Sequence, residues 1–417
     1  MTAGLHCALG LAAMPLIALV FTENRKAICL KTVLSAIGLQ CVLALFLLKM
    51  PGAQSVFLAL NKVVGAIESA TQAGTTFVFG YLGGGSNVPF EVINPGASYV
   101  FGLRGLWLIL VMSALSSLLF YWKILPLIVK GFSWVLRRSL GVGGAEGLGL
   151  AANVFVGMIE APLFVRPYLK DISRGELFAL MTGGMATVAG TVLVLYASFL
   201  APVLPNALGH LLVASIISAP AAIAIARIMI PSDSVTEAEM SIPNPASSSM
   251  EAITNGGTEG MKLYLNVIAM LVVCVAMVEL VNICLTWFPQ LGGEAVTLQR
   301  ILGLIMAPVV WLIGIPWSEC MTAGSLMGTK TVLNEFLAYL ALAGTPPEAL
   351  SPRSVLILTY AMCGFANLGS LGIMIGGLGM MVPERRTEIV GLGFKSIIAG
   401  TLATLMTGAL AGVLYSG

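Results

Sequence analysis

Charge is what this sequence has least of. Only 10% of its 417 residues are charged, against about 25% in a soluble globular protein. Because so few charged side chains cannot cover a surface that faces water, most of the surface is expected to face lipid. The net charge of +2 gives no reason to expect a nucleic-acid partner.

Motifs for catalysis and metal binding are also missing. The only two histidines, His6 and His210, lie near the ends of apolar segments, as interfacial residues do, and neither belongs to a His-Glu-x-x-His or Cys–His pattern. The Gly-x4-Gly-Lys-Ser/Thr spacing of a phosphate-binding loop does not occur either. These absences argue against a membrane-embedded enzyme and against ATP hydrolysis. The seven cysteines have no CxxC spacing and are expected to be free thiols.

Long apolar segments are plentiful instead. A transmembrane helix needs about 20 mostly apolar residues. Eight segments meet this length within tolerance: about 3–22, 32–48, 105–122, 177–200, 211–230, 263–288, 354–382 and 396–416. Two other stretches, 50–80 with Lys62 and Glu68 and 123–146 with four basic residues, have charges at amphipathic spacing and are expected to lie along an interface.

The basic residues indicate the orientation. With the N-terminus outside, 15 of the 21 Lys and Arg residues fall on the predicted cytoplasmic segments, and 6 fall on the outer side. Because basic residues favour the cytoplasmic side, both termini are predicted outside. The polar stretch 231–262 is expected to be a mobile cytoplasmic connection between two halves of the chain.

Each half contains an apolar run that Gly, Pro and Glu interrupt, at 147–170 and at 301–342. Two spans follow each run. Paired broken segments in corresponding positions indicate the substrate site of a secondary transporter. The sequence therefore predicts an all-α membrane protein of the transporter type.

A carboxylate lies in the first broken run. Gly157 and Pro162 bracket a predicted helix break at Glu160. An ionised carboxylate at the centre of a membrane helix costs about 2.5–3.5 kcal/mol, so we expect Glu160 to be functional. The alternative is that Glu160 pairs with Arg166 or lies at the interface.

Glu335 occupies the corresponding part of the second broken run. It follows a Gly-rich turn and precedes an apolar helix, with Asn334 and Lys330 close in sequence. The alternative is a carboxylate that begins a helix at the interface. This alternative is the weaker interpretation, because the polar residues Asn334 and Lys330 lie close to Glu335 in the sequence.

Two spans carry weaker signals. Asn367 and Ser370 are three residues apart and are expected on one face of the span 354–382. Ordinary interhelical hydrogen bonding, worth about 0.6 kcal/mol, explains them equally well. In the span 177–200, Gly190 marks either close packing or a break that frees carbonyl groups for a cation.

Taken in order, four motifs resemble the concentrative nucleoside transporters, and the resemblance covers essentially the whole chain. They are Glu-Ala-Pro-Leu-x-Val-Arg-Pro at 160–167, Asn-Glu-Phe-x-Ala-Tyr at 334–339, Cys-Gly-Phe-Ala-Asn at 363–367 and Pro-Glu-Arg-Arg at 383–386. The length and the span count are similar to those of the compact bacterial, sodium-coupled members.

The resemblance implies a fold and an assembly. The fold is all-α, with about eight transmembrane helices, two re-entrant helical hairpins and interfacial helices, in the bacterial inner membrane. The assembly is a homotrimer in which a transport part makes an elevator-like movement against a scaffold. The implied division is scaffold helices in 1–122 and 263–288, a first transport repeat in 123–230, the linker 231–262, and a second transport repeat in 289–417.

The resemblance also implies roles for individual residues. The ribose would bind to Glu335, Asn367 and Ser370, with Phe365 beside the sugar, and the base would face Gly157, Met158, Ile159, Glu160 and Val192. Sodium would bind to Asn153, the hydroxyl and carbonyl of Thr187, and the carbonyls of Val156 and Val188. This set of oxygen-bearing residues suits a hard cation.

One departure from the family pattern affects the base. The family has Gly-Gln-Thr-Glu where this chain has Gly157-Met158-Ile159-Glu160. Leaving a buried polar edge unpaired costs about 1–3 kcal/mol, so base selectivity is expected to be altered or relaxed. A different nucleoside-like substrate stays open as an alternative. Proton coupling through Glu160 or Glu335, and a receptor or channel without coupled transport, also stay open.

Overall fold

The computed structural model describes residues 3–49, 52–91, 100–232, 236, 246–290 and 295–415. In these ranges the regular elements are helices, so the predicted all-α fold class is confirmed. The α-helices are α1 (Ala3–Ala18), α2 (Leu30–Lys49), α3 (Ala53–Phe79), α4 (Phe101–Arg104), α5 (Leu108–Tyr121), α6 (Ile124–Leu140), α7 (Gly144–Asn153), α8 (Glu160–Leu163), α9 (Arg174–Ala186), α10 (Gly190–Leu200), α11 (Ala207–Met229), α12 (Ser249–Leu285), α13 (Leu298–Leu312), α14 (Cys320–Val332), α15 (Glu335–Ala343), α16 (Pro352–Met362), α17 (Leu368–Met381) and α18 (Arg386–Leu414).

Seven segments of the described ranges are long and apolar enough to cross a membrane. They coincide with seven of the eight predicted spans. The prediction of one continuous helix over 354–382 is wrong, because the chain leaves the helix between α16 and α17. α16 ends at Met362, and Asn367 begins the next helix, since its side chain caps α17 by accepting a hydrogen bond from the backbone N–H of Ser370 at 2.7 Å.

The two halves of the chain repeat one order of elements. An amphipathic or apolar helix (α6, α13) comes first, followed by a pair of helices separated by a break (α7 and α8, α14 and α15). A broken span (α9 with α10, α16 with α17) and a long unbroken helix (α11, α18) complete each half. Such internal repeats are typical of secondary transporters, which build their sites where the repeats meet.

Burial divides the helices into a core and a periphery. In the apolar windows of Arg174–Leu200 and Ala207–Met229, 89% of the residues are buried, whereas none is buried in the window of α12. The helices α1 and α2 pack on α11 and α18, while α5 packs along α12. The division of the chain into scaffold and transport part stays a prediction.

Both predicted amphipathic stretches are helical, as α3 and α6. In α6 the buried residues Val129, Ser133, Leu136 and Leu140 recur at intervals of three or four, which gives the helix one apolar face. That these helices lie along a membrane interface stays a prediction.

The polar stretch 231–262 differs from its prediction in its second half. α12 begins at Ser249, after the side chain of Ser248 accepts a hydrogen bond from the backbone N–H of Glu251. Small residues then let this end of α12 pack against α5, because a Cβ on Gly256 would lie 2.7 Å from backbone atoms of α5. Residues 233–235 and 237–245 of the predicted linker lie outside the described residues.

Candidate functional site

The two broken spans come together at their breaks. The backbone N–H of Phe365, in the break between α16 and α17, donates to the carbonyl of Thr187, in the break between α9 and α10, at 3.3 Å. Of the two alternatives for Gly190, close packing or a break, the structure shows the break, since this residue begins α10. Its N–H donates to the carbonyl of Phe155 at 3.1 Å and so joins the break after α7 to the same place. Backbone groups of three interrupted helices therefore meet.

Glu335 begins α15 and is held from two sides. The hydroxyl of Tyr196 donates to Glu335 Oε1 at 2.7 Å, and Asn367 Nδ2 donates to Glu335 Oε2 at 2.9 Å. The carboxylate is buried, at 4% exposure. Because Asn367 Oδ1 accepts from the N–H of Ser370, the three residues predicted to bind ribose form one hydrogen-bonded group. A carboxylate offers about four lone-pair sites, so Glu335 can accept further hydrogen bonds from hydroxyl groups.

Two residues of this group were not assigned from the sequence. Tyr196 lies in an apolar run, where its hydroxyl is the only signal of a role. Lys330, predicted only as a neighbour of Glu335, is fully buried, and its Nζ has no hydrogen-bond partner within the described part of the chain. Lys330 and Glu335 interact electrostatically, so the site contains a positive charge as well as the carboxylate.

Glu160 lies differently from its prediction. The helix break runs from 154 to 159, before Glu160, and Pro162 lies within the short helix that Glu160 begins. The carboxylate folds over Gly157, where a Cβ would overlap it unless the flexible Glu160 side chain moved. Glu160 is exposed and forms no ion pair with Arg166 or with another side chain of the described ranges. No hydrogen bond joins it to the Glu335 group there.

Met158 and Ile159 present apolar groups from the same break. Met158 is buried and packs against Gly184 of α9, and Ile159 packs against Gly377 of α17. Val192, in the first turn of α10, is also buried. The side of the break that these residues form therefore has little capacity to hydrogen-bond a polar ligand.

The residues predicted to bind sodium lie at two helix breaks. Asn153 and Val156 lie at the break after α7, and Thr187 and Val188 lie between α9 and α10. Asn153 ends α7, and its carbonyl accepts a hydrogen bond from the hydroxyl of Thr187 at 3.1 Å. The side-chain amide of Asn153 is buried, and within the described ranges neither Oδ1 nor Nδ2 has a hydrogen-bond partner. The carbonyls of Val156 and Val188 likewise accept no hydrogen bond there. Oxygen atoms without hydrogen-bond partners, among them the buried Asn153 Oδ1, fit a hard cation.

A buried ion pair holds α7, and sequence reasoning missed it. Arg227, near the end of α11, binds Glu146, in the first turn of α7, and both side chains are nearly excluded from solvent. The sequence separation of 81 residues leaves no local signal for this pair. It attaches α7 to one of the most buried helices.

Three family descriptions match successive parts of the chain. Residues 9–82 match "Na+ dependent nucleoside transporter N-terminus", 104–203 match "Nucleoside recognition", and 210–412 match "Na+ dependent nucleoside transporter C-terminus". Together they cover most of the sequence.

Named relatives extend the match over the whole length. The nucleoside permease NupC of Helicobacter pylori is 38% identical, over 98% of this chain and 97% of its own. Sodium/nucleoside cotransporter 1 of the rat is 31% identical, over 94% of this chain and 61% of its own. CNTnw, solved in an inward-facing substrate-bound state, has a TM-score of 0.89 at 36% identity, over 99% of this chain and 98% of its own. Its variants have been solved in outward-facing and intermediate states as well.

Proposed function

Because the chain belongs to the sodium-dependent, concentrative nucleoside transporter family, whose members are not enzymes, we propose that it is a symporter that imports a nucleoside with sodium. The observation that carries this proposal is the meeting of three helix breaks beside a buried carboxylate. Backbone that leaves a helix at membrane depth is tolerated where it lines a binding cavity.

Recognition of the sugar rests on the Glu335 group. A ribose carries hydroxyl donors, and the carboxylate of Glu335, oriented by Tyr196 and Asn367, accepts hydrogen bonds from them. Ser370 adds a hydroxyl group one helical turn after Asn367. The apolar ring of Phe365 lies beside the same break and would cover one face of the sugar.

Coupling rests on Asn153, Thr187, Val156 and Val188. Their oxygen atoms would hold sodium where the breaks of both repeats meet, so the ion would fix Thr187 and, through it, the Phe365 backbone beside the substrate. A membrane potential adds about 2.3 kcal/mol per charge per 100 mV, which is enough to concentrate a neutral nucleoside. The family is described by its sodium dependence, and proton coupling is not supported.

The proposed movement is of the elevator type, with the transport part crossing against the scaffold. The range of outward-facing, intermediate and inward-facing forms of CNTnw supports alternating access for its relatives. We further propose a homotrimer in the bacterial inner membrane, with both termini outside as the basic residues predict. The exposed apolar length of α12 offers a surface for lipid or for another subunit.

Base selectivity is proposed to depart from the family pattern because Met158 and Ile159 replace hydrogen-bonding groups. Restoring those groups in a Met158→Gln, Ile159→Thr variant should change the ratio of uridine to adenosine uptake by about tenfold or more, the value of one or two buried hydrogen bonds. An unchanged ratio of uridine to adenosine uptake would refute this part of the proposal.

The test of the main function is uptake of radiolabelled uridine and adenosine into proteoliposomes. An inward sodium gradient should drive uptake, and a matched proton gradient should not. Glu335→Gln and Asn153→Ala should abolish it, whereas Glu259→Gln, at an exposed position where the carboxylate pairs with Lys262, should not. Uptake of neither nucleoside under either gradient would refute the assignment and favour another nucleoside-like substrate.

A further inference from the structure

A polar cavity of about 420 Å³ lies apart from the Glu335 group. It opens where α3 faces the start of α5 and the end of α10. Its lining includes Glu68, Thr71, Gln72, Arg104, Ser198 and Phe199. Ligand pockets in proteins commonly enclose about 300–1,000 Å³, so a small polar molecule fits this volume.

Most polar groups of this lining are already bonded to the protein. Thr71 donates to the carbonyl of Ile67, and Arg104 donates to the carbonyls of Tyr81 and Leu82. Glu68 is the exception, since its half-buried carboxylate has neither a hydrogen bond nor an ion pair within the described part of the chain. The cavity therefore presents one acceptor group that is free to bind hydroxyl donors.

Three phenylalanines separate the cavity from the Glu335 group. Phe199 lines the cavity, and its ring centroid lies 5.5 Å from that of Phe101 and 5.3 Å from that of Phe336. Phe101 and Phe336 are in turn 5.7 Å apart, so the rings form a closed triangle from α4, α10 and α15. Phe336 directly follows Glu335, and Tyr196, which binds Glu335, lies one turn before Phe199.

We infer that this cavity is a second, weaker nucleoside site, from which the substrate passes between the three phenylalanines to Glu335. The chemistry matches the proposed main site, because in both places a carboxylate meets the ribose hydroxyls while an aromatic ring lies beside the sugar. Glu68 takes the part of the carboxylate and Phe199 that of the ring. This inference rests on the proposed function.

The test is equilibrium binding of radiolabelled uridine, and separately adenosine, to the purified full-length chain in saturating sodium. The wild type should show a tight and a weak phase. Glu68→Gln should weaken only the weak phase by about tenfold, the effect of one hydrogen bond to a charged group. Glu335→Gln should lose the tight phase and keep the weak one, and the control Glu259→Gln should behave as the wild type.

The outcomes separate this inference from the main proposal. A single phase that Glu68→Gln leaves unchanged, or a Glu335→Gln variant that binds no nucleoside, overturns the second site alone. A wild type that binds neither nucleoside overturns both. If Glu68→Gln also loses the tight phase through misfolding, Phe199→Leu, which removes the ring, decides, and an unchanged weak phase in that variant overturns the second site.

Discussion

Replacing Tyr196 by Phe removes one atom from the proposed sugar site. The lost hydroxyl donates to Glu335 Oε1 at 2.7 Å, whereas the bond from Asn367 to the other oxygen stays. A hydrogen bond to a charged group contributes about 1.5–3 kcal/mol. Because one donor remains, the lower limit applies, and it corresponds to about a tenfold loss of affinity. We expect the KM for sodium-driven uridine uptake to rise about tenfold.

The matched control is Tyr360→Phe. Tyr360 is as buried as Tyr196, but its hydroxyl contacts His210 at 3.0 Å and not Glu335. This variant should lose some thermal stability and keep the wild-type KM. If Tyr196→Phe keeps a KM within twofold of the wild type, while its uptake still requires Glu335, Tyr196 does not orient the carboxylate and the reasoning is refuted.

Three further changes test other parts of the structure. Thr187→Val should raise the sodium concentration for half-maximal uptake by about tenfold or more, since one oxygen of the proposed sodium site is lost. Arg227→Met should lower stability by about 3–5 kcal/mol, because it leaves Glu146 buried without its partner. The hydrogen bond from Arg174 holds the pKa of Glu23 below its ordinary value. This carboxylate therefore stabilises the fold at pH values above its unfolded pKa of about 4.3. The contribution disappears as the pH falls through the lower folded pKa. Glu23→Gln should therefore flatten the acid-side fall of the unfolding temperature by about 1–2 °C, a small effect because the pair is partly exposed.

Each of these changes has its own comparison. The control for Thr187→Val is Thr182→Val, in α9. The hydroxyl of Thr182 is buried and makes no hydrogen bond within the described residues, so this variant should leave sodium activation unchanged. For Arg227→Met, adding Glu146→Leu should recover much of the lost stability, and a double variant as unstable as the single one would contradict the ion-pair account. An identical acid profile in wild type and Glu23→Gln would show that the loop carboxylate does not contribute.

Local composition was enough to predict the helices, because an apolar run of sufficient length has few alternatives in lipid. It also indicated a break near Glu160, since a carboxylate is costly within a membrane helix, whereas Gly190 fitted close packing equally well. It did not reveal that one helix ends at Met362 and that Asn367 caps the next, because a capping Asn and a mid-helix Asn look alike in a single sequence. Tyr196 and the Arg227–Glu146 pair were missed for another reason. Their partners are 139 and 81 residues distant, so only the tertiary packing joins them.

The length of α12 restricts how the two halves can be linked. Its 37 residues form a rod of about 55 Å, while the hydrocarbon core of a bilayer is about 30 Å thick. Its first turns nevertheless do not stand apart from the rest of the chain, because they run beside α5. A Cβ on Gly256 would meet Ser113 and Ala114, and the indole N–H of Trp122, directly after α5, donates to the hydroxyl of Ser249. The start of α12 therefore lies level with the end of α5, and a displacement of one half relative to the other would have to carry these two helices together.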